Sequence, residues 1–129
     1  MYHHERFKYF VHLQKDMEKN VFLEFVGDSP VNRLLDFLMT GRDFDYTLTD
    51  FAKKSGISWS TLHRIFPRFV KNKIVLQTRV IGRAKLYKLN TKNIVVQKFI
   101  ALHDTILLQQ LVLAGEKAIQ KEAHGPELM

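Results

Sequence analysis

Two amphipathic segments that meet at a glycine restrict the fold of this chain more than any other feature. Ala52 lies four positions before Gly56, and the apolar Ile57 follows the glycine. A small residue lets two helices approach closely, and glycine adopts the left-handed backbone that a tight turn between helices needs. The second segment places apolar residues inward at helical spacing: Leu62, Ile65, Phe66, Phe69 and Val70. The pattern predicts a helix-turn-helix over 49–67.

The ends of these two helices are marked by side chains that cap helices. Thr49 is predicted to cap the first helix, which runs to Ser55, and Ser58 to cap a second helix running to about Asn72. Pro67 lies inside that second helix, where proline removes one hydrogen bond and crowds the preceding turn. We expect a kink, or an end and a restart, that turns the helix towards the following segment; a bend that adjusts how the helix meets a ligand is the alternative.

The preceding part of the chain contains further helical signals. Residues 5–19 show apolar residues near helical spacing, while the helix or strand state of 20–28 stays open. Ser29-Pro30 combines a capping side chain with proline at the first helical position, and Gly41 is a plausible stop. A brief strand is expected over 46–48.

A hairpin and a long helix complete the chain. β-Branched residues are frequent over 74–81, Gly82 interrupts the run, and 84–89 resumes it, which is the pattern of two strands joined at a glycine. Asn93 is predicted to cap a last helix that runs to roughly Gln120.

The order of these elements predicts a mainly α fold with a small β-hairpin wing, that is, a winged helix-turn-helix with an N-terminal helical extension and a long C-terminal helix. We assign 1–28 to the N-terminal helical extension, 29–92 to the winged helix-turn-helix domain and 93–129 to a C-terminal dimerisation helix and tail.

Charge is distributed very unevenly along the chain. The net charge is +7, and between Asp50 and Asp104 lie twelve Lys and Arg residues but no Asp or Glu. The remainder of the chain holds eight bases and all thirteen acids. One strongly positive segment in an otherwise acidic chain indicates a surface that binds a polyanion, in preference to a basic face that serves only solubility.

Composition argues against several other classes of protein. The chain has no cysteine, which excludes disulfides, thiolate zinc sites and cysteine nucleophiles, and its glycines are too scattered to form a phosphate-binding loop. His3, His4 and His12 lack a set of carboxylates, so we expect no metal site and no cofactor. No segment is apolar over the length of a bilayer span. We expect a cytoplasmic protein that is not an enzyme and has no membrane partner, and an effector ligand is unknown.

The exposed start of the second helix and the tip of the hairpin are the candidate DNA-contacting surfaces. Hydroxyl groups can bind phosphates or base edges, and arginine can bind guanine through two parallel hydrogen bonds. Basic residues at a wing tip reach phosphates or the minor groove. The candidate residues are Ser58, Trp59, Ser60, Thr61, His63, Arg64 and Arg68 on the helix, and Arg79, Arg83 and Lys85 on the wing. For Trp59, packing and DNA contact stay equally open, and His63 is expected to be a neutral surface residue.

The last helix is apolar around much of its circumference and must be covered on more than one side. Its candidate dimerisation residues are Val95, Phe99, Leu102, Ile106, Leu107 and Leu111. The winged domain can cover one side, and a second copy of the same helix is the preferred cover for the other. The alternative is that the N-terminal helix covers it within one chain.

Several phrases of the sequence resemble a group of small archaeal winged helix-turn-helix DNA-binding proteins that are regarded as transcriptional regulators. The similar phrases are 22–25, 27–30, 42–46, 58–64 and 81–90, and the resemblance extends over about 22–107. The wing phrase is its most specific part. Where that group commonly has a proline after the asparagine that caps the last helix, this chain has Ile94. The resemblance implies binding to double-stranded DNA.

The sequence thus favours a homodimer that binds double-stranded DNA sequence-specifically and regulates transcription, with helix 58–72 in the major groove and wing 79–85 on the backbone or in the minor groove. The alternative is a winged-helix module for protein–protein or RNA contact in a larger nucleoprotein assembly. Exposed aromatic platforms are typical of proteins that bind single-stranded RNA, whereas most aromatic residues here follow core periodicity.

Overall fold

The structure, a computed structural model, describes residues 20–127, with side chains described as far as residue 121. In chain order the elements are α1 (Val21–Val26), α2 (Pro30–Thr40), β1 (Tyr46–Thr47), α3 (Leu48–Ser55), α4 (Trp59–Lys71), β2 (Val75–Ile81), β3 (Ala84–Leu89) and α5 (Ile94–Glu127). This is the predicted winged helix-turn-helix with a long C-terminal helix. The helix predicted over 5–19 lies outside the described residues.

Local capping signals define the first two helices. The Asn20 side chain accepts a hydrogen bond from the Leu23 amide, so the segment whose state the sequence left open begins as helix α1. The Ser29 hydroxyl caps α2, Pro30 occupies its first turn, and the Gly41 amide donates to the Phe37 carbonyl at its end. The predicted bounds of α2 are therefore confirmed.

The start of α3 differs from the prediction by two residues. Thr47, not Thr49, is the cap: its hydroxyl accepts from the Asp50 amide, and the Asp50 carboxylate accepts from the Thr47 amide, each at 3.2 Å. This reciprocal pair satisfies two amides that the helix leaves unpaired, whereas a cap at Thr49 would have Ala52 at the corresponding position. Gly56 ends α3 with φ +69°, the left-handed conformation expected of this turn.

Helix α4 begins at the predicted cap, Ser58, and ends at Asn72. Its buried residues are Leu62, Ile65, Phe66 and Phe69. Val70 was expected to face inward but is exposed, because it lies one position beyond this stripe and so points to a different side of the helix. Pro67 lies on the exposed side of a helix that continues through it, so the predicted end and restart do not occur.

The three strands form an antiparallel sheet in the order β1-β3-β2. A register shift between Gln77 and Arg79 leaves Thr78 as an extra residue on β2. Gly82 and Arg83 connect β2 to β3, and Gly82 has φ +62°, which suits the first position of a two-residue hairpin turn. The hairpin predicted from the sequence is present with its glycine at the tip.

Helix α5 begins after Asn93, whose side-chain oxygen accepts from the Val95 amide at 2.9 Å. It continues to Glu127, beyond the predicted end near Gln120, through residues 116–123 that are mostly good helix formers. Val96 is fully buried in the same apolar cluster as Leu34, Phe51 and Leu62. The first turn of α5 thus completes the core of the unit assigned to 29–92.

Candidate nucleic-acid interface

The exposed side of α4 presents the polar residues singled out in the sequence. Ser58, Ser60, His63, Arg64 and Arg68 are exposed, and Thr61 is half-buried. The Ser58 hydroxyl caps the helix and also contacts the hydroxyls of Thr61 and Ser60, at 2.8 and 3.3 Å. Three hydroxyls therefore cluster at the N-terminus of α4, where amides and helix dipole favour negatively charged groups.

Trp59 and His63 form an aromatic pair on this side of α4. Their ring centroids are 4.2 Å apart and the planes are nearly perpendicular. Trp59 is 49% exposed, so roughly half of the indole is covered and half is available to a partner. His63 lies beside an aromatic ring on the surface, as expected of a polar surface residue.

An arginine on α2 fixes the turn that positions α4. Arg33 donates to the Gly56 carbonyl at 2.8 Å and to both carboxylate oxygens of Asp28, at 2.6 and 2.9 Å. The hydrogen bond from Arg33 lowers the pKa of the Asp28 carboxyl, and Asp28 raises the pKa of Arg33. Sequence analysis did not identify these contacts, because the outer two of the three residues are 28 positions apart and the set follows no motif.

The wing and the start of α4 border one concave surface. A cleft of about 240 Å³ is lined by Thr47, Leu48, Thr49, Trp59, Arg83, Ala84, Lys85 and Tyr87. Tyr87 of β3 also packs edge-on against Phe66 of α4, with ring centroids 4.9 Å apart. The structure therefore brings together Trp59 with the two basic residues at the wing tip, Arg83 and Lys85.

Arg79 has a different environment from the other candidate wing residues. Its guanidinium donates two hydrogen bonds to Asp45, and the Thr78 hydroxyl donates a third to the same carboxylate. These hydrogen bonds lower the pKa of Asp45 to about 2, and the bonds from Arg79 have the largest effect. Arg79 was predicted to contact DNA, and in the structure its exposed guanidinium is paired with Asp45, which joins the wing to the segment before β1. Its contact with DNA stays a prediction.

Arg64, Arg83 and Lys85 have no such partner: within residues 20–121, no carboxylate forms an ion pair with any of them. Asp45 is a residue of the wing's surroundings that sequence reasoning did not single out. It is separated from Arg79 by 34 positions, and no local pattern could have connected the two.

The candidate dimerisation residues of α5 divide between two sides of the helix. Phe99 is partly buried against the core and Ile106 is only 2% exposed, so both pack against their own chain, and Ile106 has almost no surface left for a second copy. They belong to an inward stripe made up of Val96, Phe99, Ile100, His103 and Ile106. Val95, Leu102, Leu107 and Leu111 are exposed. The sequence did not separate the two sides, because α5 is apolar on both.

Polar contacts hold the inward side of α5 against α2. Buried His103 pairs through Nε2 with Asp36 Oδ1 at 2.8 Å, and Asn20 donates to the other oxygen of Asp36. Arg42 pairs with Asp104 on the next position of α5. These contacts fix the part of α5 that lies over the winged domain, and every residue from Leu107 to Lys121 beyond them is exposed.

In the part of the chain that the structure describes, no three His, Asp or Glu side chains come together as metal ligands. No helix within that part is long and apolar enough to cross a bilayer.

The chain matches no protein-family model and no curated protein. Solved structures do resemble it. A mutant of Lactococcus lactis ZitR in its apo form has a TM-score of 0.55 at 18% identity, over 92% of this chain and 98% of that one. A ZitR mutant in complex with DNA has a TM-score of 0.51 at 20% identity, over 75% of this chain and 74% of that one. MepR, a transcription regulator of the Staphylococcus aureus multidrug efflux pump MepA, has a TM-score of 0.53 at 18% identity, over 92% of each chain.

At these identities the likeness establishes the fold. The winged helix-turn-helix predicted from the sequence is confirmed, both by the arrangement of α3, α4 and the hairpin and by these structures. The narrower resemblance to archaeal proteins stays a prediction.

Proposed function

We propose that this chain is a sequence-specific double-stranded DNA-binding protein that acts as a homodimeric transcriptional regulator. The observation that carries the proposal is the concave surface shared by the start of α4 and the wing, where Trp59, Arg83 and Lys85 meet. These three residues lie within a stretch of more than fifty residues that contains no acid. Asp45, an acid that contacts the wing, forms an ion pair with Arg79.

In this proposal the exposed side of α4 enters the major groove. The groove is about 12 Å wide and admits one helix. Arg64 and Arg68 are exposed on this side, and Arg64 is placed within the first two turns, where a helix that enters the groove N-terminus first meets base edges. The cluster of hydroxyls at Ser58, Ser60 and Thr61 is placed to bind a phosphate.

The wing supplies contacts to the DNA backbone. Arg83 at the tip and Lys85 on β3 are exposed cations on the side of the wing that borders Trp59, and both are expected to bind phosphates. Arg79 acts through Asp45 by fixing the angle of the hairpin. The fold shared with a ZitR mutant that was solved in complex with DNA, and with MepR, a transcription regulator, supports this use of the surface.

The outward side of α5 supports the homodimer. From Leu107 to Lys121 every residue of the helix is exposed, and among them are Leu108, Leu111, Val112 and Ile119. Single helices are marginally stable in water and apolar side chains favour burial, so this segment needs a partner. A second α5 presents the same apolar side, and a two-fold pair would place two α4 helices on half-sites about 34 Å apart.

Selection from random-sequence duplexes, followed by footprinting, tests the proposal. The wild-type chain is expected to enrich one motif with two-fold symmetry and to protect both half-sites. Enrichment of no duplex, or equal competition by single-stranded RNA, would contradict it and favour the RNA-contact or protein-contact module.

A further inference from the structure

Two apolar side chains at the tip of the wing are left uncovered. Val80 and Ile81 end β2, and they are 53% and 55% exposed. A Cβ placed on the adjoining Gly82 would meet no atom within 4 Å, so the tip projects into open space. Exposure of two neighbouring β-branched residues at a projecting hairpin tip indicates a surface used for contact.

Strand geometry places these two side chains on opposite faces of the hairpin. Val80 lies across from Lys85, on the same face as Tyr87, which packs against Phe66 of α4. Ile81 lies across from Ala84, on the other face. The tip is therefore apolar on both faces and thin, since Gly82 and Ala84 add little bulk.

Cations surround this apolar tip. Arg83 follows Gly82 directly, and Lys85 is the cross-strand partner of Val80. The matching partner has an apolar interior between two rows of negative charge. The minor groove of duplex DNA has this chemistry, because its walls are deoxyribose and its rims are phosphates, and proteins that enter it frequently insert apolar side chains.

We propose that Val80 and Ile81 form an apolar wedge that enters the minor groove beside the segment contacted by α4, while Arg83 and Lys85 bind the phosphates at its rims. The inference rests on the proposed function. Each β-branched side chain has few rotamers to lose on contact, which suits a stiff wedge. Contact with sugars and base edges makes affinity depend on the width and deformability of the flanking DNA, a source of specificity separate from the contacts of Arg64.

Replacement of the wedge by polar residues that are also β-branched tests the inference. The double variant Val80→Thr/Ile81→Thr keeps β-branching and therefore the hairpin, while Leu76→Thr is the control, since Leu76 is also exposed on β2 but lies at the opposite end of the strand. The probe is the duplex enriched by the wild-type chain. In a matched set, diaminopurine replaces adenine in the flanks, which adds an amino group to the minor groove and leaves the major groove unchanged.

We expect the double variant to bind the probe about tenfold more weakly, while Leu76→Thr binds like wild type. Diaminopurine in the flanks should weaken the wild-type complex and have little effect on the double variant. Thermal unfolding of the three proteins is monitored by circular dichroism, and equal midpoints would show that they fold alike.

Two results overturn the inference. If the double variant binds as tightly as wild type and responds equally to diaminopurine, the tip does not enter the minor groove and its apolar residues serve another partner, such as a protein strand; the proposed function would stand. If the wild-type chain enriches no duplex at all, both the proposed function and the wedge are wrong.

Discussion

The guanidinium of Arg79 donates to both oxygens of Asp45, at 2.9 and 3.1 Å, and so joins the wing to the segment that leads into β1. The Asp45 side chain is only 18% exposed, and the Thr78 hydroxyl also donates to it. We expect the pair to help fix the hairpin relative to α3 and α4, which border the shared concave surface.

Titration of Asp45 tests this contact. Because hydrogen bonds from Arg79 and Thr78 lower the Asp45 pKa from 3.8 to about 2, these contacts contribute stability above about pH 4, and this contribution is lost as the pH falls through 2. Carboxyl carbon NMR should find Asp45 still ionised at about pH 3, where ordinary carboxyls are protonated. Arg79→Gln should move the Asp45 pKa towards its usual value, whereas Arg83→Gln should leave it unchanged. An Asp45 pKa near 3.8 in the wild type would show that the pair does not form in solution.

Thr47 and Thr49 offer a matched test of the capping box. Thr47→Ala removes the hydroxyl that accepts from the Asp50 amide, and we expect a loss of about 1 kcal/mol in the free energy of unfolding. Thr49 lies in the first turn of α3 and its side chain is exposed, so Thr49→Ala should change the free energy of unfolding by less than about 0.5 kcal/mol. Urea denaturation measures both. A larger loss of stability in Thr49→Ala than in Thr47→Ala would indicate that Thr49 is the cap, as expected from the sequence.

Arg64 and Arg83 are expected to differ in how their loss affects DNA binding. Arg64→Ala should cost about 1–3 kcal/mol on the selected duplex and relax the sequence preference, because Arg64 lies on the side of α4 proposed to contact bases. Arg83→Ala should weaken binding to selected and scrambled duplexes alike, because it is proposed to bind phosphates. Titrations of both variants against both duplexes make the comparison. Equal loss of preference in the two variants would mean that α4 is not the recognition element.

Charged substitutions on the outward side of α5 test whether that side forms the dimer interface. Leu107→Glu/Leu111→Glu places two carboxylates on the exposed apolar side, and we expect a folded monomer that binds the selected duplex much more weakly. Gln109→Glu/Gln120→Glu adds the same charge at positions that are already polar and should leave the assembly unchanged. Analytical ultracentrifugation at micromolar concentration measures the mass. A wild-type chain that sediments at 15.2 kDa, or a leucine variant that unfolds, would show that the side is covered within one chain.

Features encoded by a few adjacent residues were predictable from the sequence. The caps at Ser29 and Ser58 and the left-handed Gly56 and Gly82 each depend on the chemistry of one residue and its immediate neighbours. The cap of α3 was misplaced although its signal was local, since two threonines compete and only Thr47 has an acid three positions later.

Features that depend on distant residues were not predictable. The Asp45–Arg79 pair and the Arg33 contact with Gly56 join segments that are far apart in sequence, so no spacing rule reveals them. The two sides of α5 were not separable for a different reason: leucine, isoleucine and valine occur around its whole circumference, and periodicity cannot show which side the winged domain covers. The positions of Ile106 and Leu111 therefore required the structure.

The salt dependence of binding tests most directly the central claim that this chain binds duplex DNA. Lys and Arg side chains that neutralise phosphates release counterions, so the affinity must fall as the salt concentration rises. If each chain neutralises about four phosphates, the logarithm of affinity should fall with the logarithm of salt concentration at a slope near −3.6 for a monomer, and about twice that for a dimer. Arg83→Gln should make the slope shallower by about 0.9 per chain. Fluorescence anisotropy with the selected duplex over a range of salt concentrations provides the measurement. A steep slope that Arg83→Gln reduces is the predicted result, and binding that is absent or insensitive to salt would contradict the account.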